Sequence, residues 1–73
     1  MPNVSGITTR PEARRKEWLR EYPNMRHWET VGPFATAEEA EAWEKRQHRC
    51  ERHGPGDDLD YPGARWYGYR FEY

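Results

Sequence analysis

Val4, Ile7, Leu19, Val31 and Leu59 are the only valines, isoleucines and leucines in this chain of 73 residues. A core built from branched aliphatic side chains is therefore excluded, and whatever the chain buries must be aromatic. Four tryptophans, five tyrosines and two phenylalanines are present, each able to bury roughly 150–250 Å². A domain of this length hides only about 60% of the surface that its unfolded chain exposes. The expectation is a thin aromatic core with some aromatic surface left in solvent. Low aliphatic content is half of a disorder signature, but the other half, a large net charge, is missing at −1. One folded domain over residues 1–73 is predicted.

The clearest local signals lie in residues 28–50, WETVGPFATAEEAEAWEKRQHRC. Gly32-Pro33 punctuates an extended run, because proline sets its own φ and pushes the preceding residue out of the helical region, so the strand is expected to stop near Val31. Thr36 stands three residues before Glu39, the spacing of a capping box. From there Ala37, Ala40, Trp43, Gln47 and Cys50 recur at helical steps, with Trp43 as the anchor of the face. Glu38, Glu39 and Glu41 crowd the first turns while Lys45, Arg46, Arg49 and Arg52 crowd the last, in agreement with the helix dipole.

Thr9 and Glu12 form a second capping-box pattern, with Pro11 tolerated in the first turn, and predict a helix to about Glu21 whose apolar face is Trp18, Leu19 and Tyr22. Pro23 stops it, and residues 25–31 follow as a strand whose inward face the pattern leaves open. Residues 1–8 read as a loose tail or an edge strand, the tail being favoured by their low apolar content. Residues 51–64, dense in Gly, Pro and Asp, read as an acidic loop. Residues 65–73, RWYGYRFEY, have the aromatic bias of a strand, with Arg65, Tyr67, Tyr69, Phe71 and Tyr73 on the face expected to pack on the helices and Gly68 marking a bulge or a close approach. The predicted class is α+β, in the order helix, strand, helix, strand: a sheet of two or three strands with both helices on one face. Two strands alone are marginal, so a third is expected from residues 1–8 or from a partner chain.

The run VGPFATAEEAEAW, Val31 to Trp43, resembles the strand-turn-helix unit of the sporulation-related repeat (SPOR) domain. It is also similar to the corresponding unit of the ethylene-response-factor type of DNA-binding domain, where an aromatic stands at the place of Trp43. The first resemblance implies glycan binding outside the cytoplasm. The second implies DNA reading by a three-stranded sheet ahead of the helix, whereas one strand clearly precedes the helix here. Neither family lends a functional residue to this chain.

His48, Cys50 and His53 lie close together and are of metal-ligating types, but they offer at most two ligands on one helical face and no second pair completes a tetrahedron. The same residues lack an oriented third group for Cys-His nucleophilic chemistry. Asp57, Asp58 and Asp60 lack the order and terminal glutamate of a calcium loop. No metal, cofactor or catalytic residue is predicted, and the chain is not expected to be an enzyme. Cys50 is the only cysteine, so no internal disulfide exists and nothing points to an oxidising compartment. The absence of a charged-then-apolar leader and of a long apolar run predicts neither signal peptide nor membrane span, which makes the cytoplasm the expected location.

Charge is segregated along the chain. Residues 1–27 carry six bases and three acids, residues 28–44 five acids and no base, residues 45–53 four bases and one acid, and residues 54–64 three aspartates and no base. Tyr and Trp beside Arg are the residue types of interface hot spots. The expected function is stoichiometric contact with another protein, in the manner of small phage or mobile-element inhibitors such as anti-CRISPR proteins, with a homodimer as a further option. The predicted contact residues are Tyr61, Trp66, Tyr67, Tyr69 and Arg70, with Asp57, Asp58 and Asp60 as the electrostatic half. The alternative is a nucleic-acid-binding module using Arg10, Arg14, Arg15, Lys16, Arg20 and Arg26 with the aromatic strand. The sequence pI of about 6.3 weighs against it.

Overall fold

Strand β1 (Asn3–Thr8) runs through the interior of the sheet, paired on both sides. The computed structural model describes residues 2–47, 50–56 and 62–73. After β1 come helix α1 (Pro11–Glu21), strand β2 (Arg26–Phe34), helix α2 (Ala37–Lys45), and strands β3 (Cys50–Arg52) and β4 (Trp66–Glu72). The four strands form one sheet in the order β2-β4-β1-β3, with β1 and β2 antiparallel to β4 and β3 parallel to β1. The class is α+β, as predicted, but the sheet has four strands and a strand comes first.

Asn3–Thr8 is therefore an inner strand rather than part of a tail. From Val4 to Thr8 every residue is buried, because both faces of β1 are covered. A strand of that kind has no alternation to read, and small residues suit it as well as apolar ones. The third strand expected from residues 1–8 or from a partner is supplied by the chain itself, and β3 adds a fourth.

Topology also separates the helices. β1, β2 and β3 all run parallel, so the connections through α1 and α2 are crossovers, and they cross the sheet in opposite directions. Crossovers of this type are right-handed, which puts the two helices on opposite faces rather than on one. The β4 residues confirm it: Trp18 of α1 packs against Tyr69 and Phe71, while a Cβ on Gly68 would run into the ring of Trp43 of α2. Adjacent positions on a strand face opposite ways. The core accordingly has two halves. Val4, Tyr69 and Phe71 lie under Trp18, Tyr22, Met25, Trp28 and Tyr73. Ile7, Ala40 and Trp66 pack with Phe34, Ala37 and Ala64.

The capping box at α2 is present in a displaced form. Thr36 Oγ1 accepts from the Glu39 amide at 3.2 Å, and the Glu39 carboxylate accepts from the amide of Ala35 at 3.1 Å. The helix ends at Lys45, short of the face extended through Gln47 and Cys50, because Cys50 to Arg52 take up pairing with β1 instead. At α1 the N-cap is Arg10, whose side chain makes no capping hydrogen bond, and Thr8 rather than Thr9 accepts from the Arg10 amide, at 2.9 Å. The helix still ends at Glu21.

β2 does not stop at Val31. It continues through Gly32 (φ +130°) and a cis Gly32-Pro33 peptide to Phe34. Twice, between Arg26 and Glu29 and between Val31 and Phe34, it advances three residues for two on β4. These bulges settle the inward face. Trp28 shares the side of Thr30 and lies flat on Tyr69 (centroids 5.0 Å, 13°), while Phe34 comes opposite Trp66 on the other side. An unbroken strand would put Trp28 and Phe34 on the same face.

Candidate partner-binding surface

The structure divides the predicted contact residues. Trp66 and Tyr69 are each 2% exposed and belong to the core, so they cannot meet a partner. They sit on the central strand, where both faces are covered, and an aromatic run cannot show that from sequence. Tyr67 and Arg70 are half-buried, and Arg70 donates to Gln47 at 3.2 Å. Tyr61, Asp57, Asp58 and Asp60 lie outside the described residues. Of the basic set, Arg10, Arg15, Lys16, Arg20 and Arg26 are exposed and Arg14 is half-buried. Glu12, Glu17 and Glu21 alternate with them along α1.

Cys50 lies half-buried on β3, not on a helical face, and His53 follows that strand with its ring edge-on to Trp18 at 4.8 Å. His48 is outside the described residues. Among the described residues no group of three or more His, Cys, Asp or Glu side chains is arranged to hold a metal ion. Among them, too, no helix is long and apolar enough to cross a membrane.

The two sheet edges differ. β2 is long and carries Val31, 37% exposed, but two bulges, Pro33 and the charges of Arg26 and Glu29 interrupt it, the usual protections of an edge against further pairing. β3 has three residues. Along α1 two hollows form a cleft. One hollow of about 200 Å³ is lined by Arg14, Glu17, Trp18 and Glu21. A second, of about 180 Å³, lies at the end of α1 between Glu21, Tyr22, Met25 and Tyr73. Glu21 lines both.

The cleft is assembled from three elements. Helical spacing puts Trp18 and Tyr22 on the inner face of α1, and Glu17 and Glu21 one position away on its flank. Tyr73, the residue after β4, stacks its ring on Tyr22 at 4.1 Å. β3 contributes Glu51, whose carboxylate accepts from the Tyr73 hydroxyl at 3.3 Å. Partial burial is the first cause that raises the Tyr73 phenol above its ordinary value of 10.0, and the negative charge of Glu51 is the second. Arg14 reaches in from α1, its side chain 13% exposed, and holds Glu17 at 3.0 Å.

The sequence reading passed over this surface because its residues come from three distant segments. The signal that was available is the i, i+4 pair of Glu17 and Glu21 flanking the i, i+4 pair of Trp18 and Tyr22. Comparisons with protein-family models, with curated proteins and with solved structures yield no match to this chain.

Proposed function

We propose that this chain is a non-catalytic binding module that acts by stoichiometric contact with another protein through the α1 side of its sheet. The observation that carries this reading is the cleft beside α1, which Trp18, Tyr22 and Tyr73 line while only half-buried. Tyr and Trp in shallow, partly dry hollows are the usual anchors of a protein interface. Inhibition of a host or competitor protein by such contact, as in phage and mobile-element inhibitors, is the form of this function that a small single-domain chain suits.

A second reading, nucleic-acid binding, draws on the exposure of Arg10, Arg15, Lys16, Arg20 and Arg26. The interleaved carboxylates of α1 lower the potential that such a surface would need.

The test is a pull-down of the tagged chain from native lysate, with and without nuclease, comparing the wild type with Tyr22→Ala. One protein held near stoichiometry in both wild-type samples and lost with the variant is the expected result. Retention that disappears with nuclease would transfer the function to the basic surface of α1.

A further inference from the structure

We infer that the cleft along α1 receives an arginine side chain from a basic segment of the partner protein. This rests on the protein-contact reading and adds the chemistry of the partner. Three features of the cleft support it.

The walls are acidic and the floor is aromatic. Glu17 and Glu21 line the hollows with Trp18, Tyr22 and Tyr73, and Glu51 accepts from the Tyr73 hydroxyl. That pairing suits a guanidinium, which stacks on ring faces while its planar fork meets a carboxylate.

The cleft already holds one guanidinium of its own. Arg14, nearly covered, meets the carboxylate of Glu17 beside Trp18, so the same combination of ring and acid is used internally. It leaves Glu21 over. Among the described residues Glu21 has no hydrogen bond or ion pair, it is exposed, and it borders both hollows. A free carboxylate shared by two aromatic-lined hollows is where an incoming cation gains most.

Two carboxylates, Glu17 and Glu21, and one guanidinium, Arg14, line the two hollows. Arg14 is already engaged with Glu17, and His53 stands 3.9 Å from Glu51. The exposed bases Lys16 and Arg20 sit on the outer face of α1, away from Trp18 by helical spacing.

The experiment is a ¹⁵N–¹H NMR titration of the whole chain with tetra-arginine, tetra-lysine and tetra-glutamate peptides. Four tryptophans provide four indole N–H signals, so Trp18 reports separately from Trp28, Trp43 and Trp66. Tetra-arginine is expected to shift the Trp18 indole and the amides of Glu21 and Glu51 at millimolar peptide, with tetra-lysine weaker and tetra-glutamate silent. Glu21→Gln should weaken tetra-arginine binding roughly two- to fivefold, as the loss of one exposed charge pair does, and Glu38→Gln on α2 should leave it unchanged.

Shifts spread evenly over the acidic surface, equal binding by Glu21→Gln, or no shift of Trp18 would overturn the inference. Shifts of the cleft that follow protein concentration without peptide would identify a second copy of this chain as the occupant and overturn it too. The titration probes only the preference of the cleft, and the pull-down asks whether a protein partner exists, so the two can fail separately.

Discussion

The indole N–H of Trp18 donates to the phenol oxygen of Tyr69 at 3.0 Å, joining α1 to the central strand across 51 residues of sequence. It is a polar contact within a mostly aromatic layer, and it fixes which way the Trp18 ring turns above Phe71. Tyr69→Phe keeps the ring and removes the acceptor. The indole donor is then left without its partner in a partly buried site, and the domain should lose roughly 1–2 kcal/mol. Urea denaturation of the two proteins checks this, with the Trp18 indole signal moving in the folded spectrum.

Tyr69 also explains Gly6. A Cβ at Gly6 would collide with the phenol group of Tyr69, and one at Gly68 would collide with the ring of Trp43. Each glycine is a floor on which an aromatic ring rests, one on each face of the sheet. Gly6→Ala and Gly68→Ala should each cost about 1–3 kcal/mol through overpacking. In the double variant Gly68→Ala with Trp43→Leu, the loss at Gly68 should shrink, because the colliding ring is gone. Thermal melts of the four proteins measure that coupling.

Thr36 is the N-cap of a helix of nine residues, and its hydroxyl accepts from the Glu39 amide. A helix this short depends on its caps. Thr36→Ala should destabilise the domain by about 1 kcal/mol and Thr36→Ser by a small fraction of that. Chemical denaturation followed by tryptophan fluorescence reads the difference.

Tyr73 gives a dependence on alkaline pH. Its phenol is raised above 10.0 by partial burial first and by Glu51 second, so the fold favours the neutral form. The resulting stability is fully present below the unfolded value and is lost as pH rises through the higher folded value. Ultraviolet titration of the phenolate should show a tyrosine ionising later than in the unfolded chain. Glu51→Gln should bring that ionisation part of the way back, and Tyr73→Phe should abolish the late step.

Much of the local structure was legible in the residues. Thr36 and Glu39 announce the start of α2, Pro23 the end of α1, and the shortage of aliphatic side chains an aromatic core, because caps, breakers and composition act over a few residues or over none. The surface was not legible. Trp66 and Tyr69 look like contact residues in the sequence and are buried, whereas Trp18, Tyr22, Tyr73, Glu21 and Glu51 meet only after three segments have packed.

By itself, then, the sequence determined two capped or bounded helices, an aromatic strand at residues 65–73 and the α+β class, all consequences of backbone sterics and of which side chains were available to bury. Tertiary structure alone decided that residues 3–8 lie inside the sheet, that β4 is covered on both sides, and that the helices take opposite faces. The cause is strand order. Once β4 inserts between β1 and β2, parallel strands must be joined by right-handed crossovers in opposite directions, and no local pattern records where in the sheet a strand will lie.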